Sequence, residues 1–193
     1  MNSGKSIAIL GGTFDPIHLG HLHVIKALAP RFDRIMIIPT GNPYMRDSAP
    51  IASGNDRIEM ASAALDDLES DLQEKVMVLD IEVRRDGPTY SVDTLGQLSG
   101  FFPRDLFTFI LGSDAAATFD KWKRAADIKK SAKILVVKRP GEVVSGFDEM
   151  EIAALDISAT QVRGAIAAGK SVTSYLSPSV ARYIEERGLY ARK

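Results

Sequence analysis

Short apolar runs alternate with longer amphipathic stretches along the chain. The runs are rich in aliphatic residues and are bounded by glycine, proline or polar residues, which is typical of buried strands. We predict strands at residues 7–10, 34–39, 76–83, 106–111 and 133–137. Because helical stretches separate these strands, successive strands must be joined by crossover connections. This order predicts an α/β fold with a doubly wound, mainly parallel sheet and helices on both faces.

Apolar residues three and four positions apart predict the helices of the first two thirds of the chain. The predicted helices cover residues 19–28, 56–68 and 91–98, with a helical stretch around 115–126. The inner face of the second helix is expected to consist of Ile58, Ala61, Leu65 and Leu68. Ser91 is the expected N-cap of the third helix.

Capping signals also delimit two helices near the C-terminus. Residues 158–161 have the Ser-x-x-Gln pattern of a capping box, which opens a helix to about residue 168. Ser177 and Pro178 open the last helix, and Gly188 is expected to end it. Between these helices and the last predicted strand, the polar residues 141–151 are predicted to form a surface loop.

Chain length and the absence of a linker or repeat favour one domain. A chain of 193 residues is close to the usual size of a single domain. We therefore expect one domain over residues 1–193, with a C-terminal helical part of about residues 157–193 packed on it.

Composition excludes several classes of protein. The 24 Lys and Arg residues against 25 Asp and Glu residues give a net charge of −1, so neither a general nucleic-acid coat nor a polybasic membrane anchor is expected. The absence of cysteine excludes disulfides, thiolate catalysis and cysteine-bound zinc. The apolar runs are too short for a membrane helix, and the N-terminus does not resemble a signal peptide, so a cytoplasmic protein is expected.

A glycine turn followed by two histidines is the sharpest chemical signal. Gly11 and Gly12 end the first predicted strand, and His18 and His21 stand at the start of the following helix. Glycines let the backbone approach a bulky group, and a helix N-terminus attracts anions, so phosphate is the expected ligand. Gly20 is expected to leave room there for that ligand.

Other kinds of site fit this segment less well. A histidine-bound metal is not expected, because His23 faces another side and no other ligand follows at helical spacing. Residues 4–6 read Gly-Lys-Ser but lack the upstream glycine and strand of a P-loop. The glycine pair is not the dinucleotide fingerprint, which argues against an oxidoreductase.

A second cluster opens the penultimate predicted helix. Ser158, Thr160 and Arg163 lie within its first turn and a half. Hydroxyl groups, free backbone N–H groups and a guanidinium could converge there on a polyphosphate. The alternative is a well-capped structural helix, and the cluster alone does not decide between the two.

Together the two motifs resemble the nucleotidyltransferase superfamily, whose Rossmann-like domain transfers a nucleotidyl group to a phosphate. Within it the chain is similar to bacterial nicotinate-nucleotide adenylyltransferases over almost its full length. Further segments that resemble this family are residues 39–43, 87–95 and 112–114, Trp122, residues 139–141 and residues 183–190.

The resemblance implies roles for matching residues. His18, His21 and Arg163 would act on the ATP phosphates as the catalytic groups. The remaining ATP-binding residues would be Gly11, Gly12, Thr13, Phe14, Gly112, Asp114, Ser158 and Thr160. The mononucleotide would be bound by Arg46, Thr89, Tyr90 and Trp122. For Trp122 a half-buried core position is the alternative, and for Asp114 a helix N-cap.

One departure from the family pattern falls in the segment after Asn42 and Pro43. The family often has a proline, a histidine and a basic residue there, whereas this chain has Tyr44, Met45 and Arg46. The basic position is kept, but the methionine cannot donate a hydrogen bond to phosphate.

The implied reaction joins ATP and nicotinate mononucleotide to give deamido-NAD and pyrophosphate, a step of NAD biosynthesis, with Mg²⁺ carried by ATP. A phosphate monoester is largely a dianion at neutral pH and needs no general base, which is consistent with the lack of an evident nucleophile. Alternatives are the amidated mononucleotide, both mononucleotides, the phosphopantetheine adenylyltransferase branch, and a nucleotide sensor without catalysis. The sequence leaves the oligomeric state open.

Overall fold

The computed structural model describes residues 4–43, 48–138, 141–143, 145–153 and 155–192. Within these residues the strands form one six-stranded sheet in the order β3-β2-β1-β4-β5-β6. Their bounds are β1 Ser6–Gly12, β2 Arg34–Pro39, β3 Val76–Val78, β4 Leu106–Gly112, β5 Lys133–Lys138 and β6 Asp148–Glu151. Every pairing of neighbouring strands is parallel.

Helices connect and cover the strands. They are α1 Leu19–Leu28, α2 Gly54–Asp66, α3 Ser70–Gln73, α4 Ser91–Phe101, α5 Ser113–Ala117, α6 Ala125–Ser131, α7 Ala159–Ala167 and α8 Pro178–Glu186, with a 3₁₀ turn at Phe119–Lys121. Within the described ranges, none of these helices combines the length and the hydropathy that crossing a membrane requires.

Side chains that point alternately to the two faces of the central strands form a hydrophobic core on each side of the sheet. In β1, Ala8 and Leu10 belong to the cluster that α1, α2, α7 and α8 cover, whereas Ile7 and Ile9 belong to the cluster that α4 covers. Successive strand side chains point to opposite faces, so a strand buried on both sides is apolar throughout. The predicted α/β architecture, with a doubly wound parallel sheet and helices on both faces, is confirmed.

Two strand predictions need correction. The predicted strand over residues 76–83 ends at Val78, and turns follow it, with the Arg84 amide donating to the Asp80 carbonyl at 2.9 Å. Leu79 and Ile81 still pack against the core on the α4 side, which explains why the apolar pattern continues past the strand. The predicted loop at 141–151 contains β6, an exposed edge strand whose polar sequence gave no strand signal.

The helix predictions are right in type and differ in detail. Ser91 does not cap α4, because Tyr90 occupies the N-cap position, and the Tyr90 side chain makes no capping hydrogen bond to the described residues of the helix. A serine does cap a different helix, α2, where Oγ of Ser53 accepts from the Asp56 amide at 3.1 Å. The inner face of α2 is rotated from the predicted one, and its buried residues are Asp56, Arg57, Met60, Ala61 and Ala64.

The helical stretch predicted in the middle of the chain is interrupted, whereas the two C-terminal helices are as predicted. The stretch predicted around 115–126 is divided among α5, the 3₁₀ turn and α6, and Arg124 before α6 is in the left-handed region with φ of 54°. The capping box of α7 is confirmed, since Ser158 and Gln161 exchange hydrogen bonds. Ser177 precedes α8 and Gly188 follows it with φ of 59°, as predicted.

The chain reverses its winding between β1 and β4. After β1 the chain continues into α1 on one face of the sheet, whereas after β4 it continues into α5 on the other. The carboxyl ends of two strands that diverge in this way leave a crevice, where ligands bind in open α/β sheets.

Candidate active site

A cleft of about 490 Å³ opens at the carboxyl ends of β1 and β4. One wall contains the predicted ATP-binding residues Gly11, Gly12, Thr13, Gly112 and Asp114. The predicted mononucleotide-binding residues Thr89 and Trp122 line the same cleft. Residues far apart in sequence are therefore brought together where the fold predicts a ligand.

The turn after β1 is built around an aromatic ring. Phe14 is in the left-handed region with φ of 50° and is only 3% exposed. A Cβ on Gly12 would lie 3.0 Å from the Phe14 ring, so a larger residue there would push the ring by a few tenths of an ångström. The ring meets the imidazole of His21 edge to face at 4.9 Å. Phe14 thus supports His21, and its side chain does not line the cleft.

The two predicted catalytic histidines form a stacked pair. Their rings lie 3.8 Å apart at 29° to each other, and the backbone amide of His18 donates to Nδ1 of His21 at 3.2 Å. Burial lowers the pKa of His18 to about 4. Burial, followed by the charge of His18, holds the pKa of His21 well below its ordinary value. Both rings are therefore neutral at physiological pH.

Because each imidazole is neutral, only one of its two ring nitrogens carries a proton and can donate a hydrogen bond. Because Nδ1 of His21 accepts a hydrogen bond, the proton of its neutral ring is on Nε2, which is left as a donor. Within the part of the chain that the structure describes, Nδ1 of His18 is buried and makes no hydrogen bond. A buried polar atom without a partner is costly, and such atoms occur at functional sites.

Gly20 serves the histidine pair in a way the sequence did not suggest. We expected it to leave room for a ligand, but a Cβ there would lie 3.0 Å from Cε1 and Nδ1 of His18 and 3.8 Å from Cβ of Ile157. The space over Gly20 is thus filled by the His18 ring and bordered by the residue that precedes α7. The expected room for a ligand is therefore not found there, and an added Cβ would make the His18 ring move by a few tenths of an ångström.

The second predicted cluster adjoins the turn after β1. Nη1 of Arg163 donates to the backbone carbonyl of Asp15 at 2.7 Å, and Nη2 donates to Oγ1 of Thr160 at 3.2 Å. Ser158 accepts from the Gln161 amide as the cap, and the side chains of Ser158 and Thr160 are exposed. The N-terminus of α7 therefore stands beside the histidine segment, and the loop at 13–15 connects both to the cleft.

The opposite end of the cleft contains aromatic and hydroxyl groups. The ring of Trp122 packs at 5.3 Å on Phe119 and edge to face at 6.2 Å on Phe109. Thr89 is buried and donates from its amide and its hydroxyl to the Asn42 carbonyl, at 3.1 and 3.2 Å. Trp122 is half-buried, as the core alternative expected, and it also lines the cleft. Its contact with a mononucleotide stays a prediction.

Three more residues predicted to bind the substrates are Asp114, Tyr90 and Arg46. Asp114 is exposed in the first turn of α5, whose N-cap is Gly112, so the N-cap alternative for Asp114 was wrong. Tyr90 is half-buried beneath the ammonium group of Lys123, which lies 3.7 Å from its ring centroid, and it does not line the cleft. Arg46 lies outside the described residues, as do Tyr44 and Met45 beside it.

Sequence reasoning missed a buried carboxyl group in the cleft wall. Glu82 is 8% exposed, and its Oε1 accepts from the Thr94 hydroxyl at 2.7 Å. Burial raises its pKa, which the hydrogen bond from Thr94 and the charge of Arg85 oppose. The available signal was an acidic residue near the end of a largely apolar run, which also contains Asp80.

Arg57 is a second residue that the sequence pattern did not single out. It is 2% exposed, and Nη1 donates to the carbonyls of Thr13 and Thr40 at 2.8 and 2.7 Å. Arg57 thus joins the turn after β1 to the turn after β2. Burial lowers its pKa, and the nearby carboxylate of Asp15 acts in the opposite direction. An arginine in an amphipathic helix gives no sequence signal that it points inward.

Comparison with known proteins identifies the family. The family model described as cytidylyltransferase-like matches residues 9–165, a span that contains the cleft, the histidine pair and the start of α7. The chain belongs to this family of nucleotide-transferring proteins.

Similar curated proteins have a more specific name than the family model. The chain is 36% identical to a probable nicotinate-nucleotide adenylyltransferase of Streptomyces coelicolor, over 94% of this chain and 98% of the relative. It is 32% identical to a protein of the same name from Shouchella clausii, over 96% of this chain and 97% of the relative.

A solved structure agrees at the level of the fold. Nicotinic acid mononucleotide adenylyltransferase of Plasmodium falciparum, complexed with NaAD, has a TM-score of 0.81 to this chain. It is 20% identical, and the match covers 96% of this chain and 97% of that protein. At this identity the likeness supports the shared architecture.

Proposed function

We propose that the protein transfers the adenylyl group of ATP to nicotinate mononucleotide, forming nicotinate adenine dinucleotide and pyrophosphate in NAD biosynthesis. The observation that carries this proposal is the single cleft that contains both the glycine segments of β1 and β4 and the Thr89–Trp122 end. The curated relatives, which have the matching name over nearly their full length, support the choice of substrates.

The reaction is a displacement at phosphorus. An oxygen of the mononucleotide phosphate attacks the α-phosphorus of ATP, the bond from that phosphorus to the oxygen bridging toward the β-phosphate breaks, and pyrophosphate leaves with the electron pair. The attacking phosphate is largely a dianion at neutral pH, so no group has to remove a proton. The protein has to align the reactants and stabilise the charge that develops on the α-phosphate and the leaving group.

The histidine pair is suited to that task as neutral donors. We propose that Nε2–H of His21, together with the ring of His18, donates to phosphate oxygens near the turn at Gly12 and Thr13. The stacked arrangement and the hydrogen bond from the His18 amide keep the His21 ring in place before ATP arrives. Preorganised donors need no rearrangement during the reaction, which is the main source of electrostatic catalysis.

Arg163 would supply the positive charge. A guanidinium has five N–H donors, and its bonds to Asp15 and Thr160 leave others for the β- and γ-phosphates. Ser158 and Thr160 would contribute from the N-terminus of α7, where backbone N–H groups favour anions. Gly112 and Asp114 would contact the adenosine at the start of α5.

The mononucleotide would occupy the other end of the cleft. We propose that Trp122 stacks on the pyridine ring and that Thr89 borders it, with Tyr90 and Arg46 as further contacts. Magnesium would enter with ATP, because this ion keeps several waters and usually binds through substrate phosphates. In the described part of the chain, no group of three or more His, Asp or Glu side chains could hold a metal ion by itself.

Measurement of pyrophosphate release tests the proposed function directly. The purified chain is given MgATP with nicotinate mononucleotide, nicotinamide mononucleotide or phosphopantetheine in separate reactions. We expect the highest kcat/KM with nicotinate mononucleotide. Preference for another acceptor would move the assignment to that substrate, and binding of ATP without release by any of them would indicate a nucleotide sensor.

A further inference from the structure

We infer that Tyr190, close to the C-terminus, is a positioning residue for the ATP-binding turn and acts through Asp15. The inference rests on the proposed function. Its structural basis is one hydrogen bond, in which the Tyr190 hydroxyl donates to Oδ1 of Asp15 at 2.7 Å. These two residues join the end of the chain to the loop that leads from β1 to the histidine pair.

Asp15 connects several separate segments around the site. Its side-chain oxygens accept from the amides of Ile51 and Ala52 at 2.7 and 3.0 Å in addition to the Tyr190 hydroxyl. Its backbone carbonyl accepts from Arg163 at 2.7 Å. Asp15 is 5% exposed, and a buried carboxylate depends on such donors because water cannot replace them. The orientation of Asp15 therefore affects the turn on one side and Arg163 on the other.

The backbone of Tyr190 indicates that its position is imposed by tertiary contacts. Its φ of 63° lies in the left-handed region, which is unfavourable for a residue with a Cβ. The hydroxyl also lies 3.9 Å from the sulfur of Met60 in α2. Burial, followed by the hydrogen bond to Asp15, raises the pKa of Tyr190, so the hydroxyl remains a donor at neutral pH. The hydrogen bond to Asp15 holds the ring at the end of this unfavourable backbone.

Loss of this hydroxyl should therefore weaken ATP binding more than it lowers the stability of the fold. Of the donors that the structure describes, Asp15 then keeps the amides of Ile51 and Ala52, and the carboxylate can turn toward Arg57 or toward solvent. Either movement displaces the carbonyl that holds Arg163 and the turn that carries Thr13. Small displacements of groups that align reactants have large effects on rate.

The chain offers a matched control in Tyr183. Its hydroxyl also donates to an aspartate, Oδ1 of Asp56, at 3.0 Å, and its ring is also half-buried. That bond joins α8 to the first turn of α2 and does not involve the turn after β1. Tyr190→Phe and Tyr183→Phe each remove one tyrosine–aspartate hydrogen bond and keep the ring.

The test compares both variants with the unaltered protein in three measurements: thermal unfolding, the Kd of ATP by calorimetry, and steady-state kinetics. We expect similar small losses of Tm in both. Only Tyr190→Phe should weaken ATP binding and lower kcat/KM for ATP, by about tenfold, with the KM of the mononucleotide unchanged. Tyr183→Phe should keep the kinetics of the unaltered protein.

Equal kinetics and equal ATP affinity in the two variants would overturn the inference, whatever their stability. A parallel fall in both would also overturn it, because the effect would then be a general loss of stability. If the unaltered protein binds ATP but does not transfer an adenylyl group, the proposed function fails, and the Kd values still decide whether Tyr190 positions the ATP-binding turn.

Discussion

Replacement of Gly20 by alanine should lower activity while leaving stability nearly unchanged. Gly20 is the second residue of α1, and an added Cβ would lie 3.0 Å from two atoms of the His18 ring. The ring would have to move by a few tenths of an ångström. It is stacked at 3.8 Å on His21, so the movement disturbs both members of the pair.

The effects of Gly20→Ala on stability and on activity differ in size because they have different physical causes. Alanine favours a helix over glycine by up to about 1 kcal/mol, which offsets the cost of moving the ring. The net change in Tm should therefore stay within about 4 °C for a chain of this size. A misplacement of about 1 Å can cost roughly a hundredfold in rate, so a shift of a few tenths should lower kcat by about three- to tenfold.

The assay is pyrophosphate release at saturating substrates, together with thermal unfolding. Gly96→Ala is the control, because Gly96 is exposed within α4 and an added Cβ there meets no atom within 4 Å. That variant should be stabilised by about 0.5–1 kcal/mol and keep its kcat. A Gly20→Ala protein that keeps the kcat of the unaltered chain would refute the role given to the His18 ring.

Three further predictions concern the histidine pair and Trp122. Replacement of His18 or His21 by alanine should lower kcat by about 10²- to 10³-fold in a folded protein, the usual effect of removing one preorganised donor, and a normal kcat in either variant contradicts the assignment. An NMR titration of His18 should show a midpoint at about pH 4, and not near 6.5. Because this pKa is lower in the folded state, stability from His18 is complete above pH 6.5 and decreases as the pH falls toward 4, which acid-dependent unfolding checks. Trp122→Ala should chiefly raise the KM of the mononucleotide, since loss of stacking costs about 1–3 kcal/mol, or roughly 5- to 150-fold, and an unchanged KM argues against stacking.

Much of the fold could be predicted because burial on both faces leaves a strong pattern. The central strands are largely apolar, and α1, α7 and α8 have clear apolar spacing or capping signals. The failures occurred at the edges of the sheet. At one edge β3 ends at Val78 although Leu79 and Ile81 continue the apolar pattern into the core. At the other edge β6 is polar, because a strand paired on one side and exposed to solvent needs few apolar residues.

The candidate site was predictable only in part. Glycines, histidines and the Ser-x-Thr-x-x-Arg cluster are visible as motifs, and the structure brings the two motifs side by side through the bond from Arg163 to Asp15. Their roles in binding and catalysis stay predictions. Glu82 and Arg57 were missed because buried charge is recognised by its partners, which come from other elements.

The order of apolar and polar residues by itself determined the class of fold, the strand and helix sequence, and the two segments able to meet phosphate. Tertiary structure alone decided how those segments act. It stacked the two imidazoles in a buried place that keeps them neutral, filled the space over Gly20 with a ring, and connected Tyr190 to Asp15 across most of the chain length. Period and capping are local properties that a sequence displays, whereas burial, pKa and hydrogen bonding depend on which distant residues arrive at the same place.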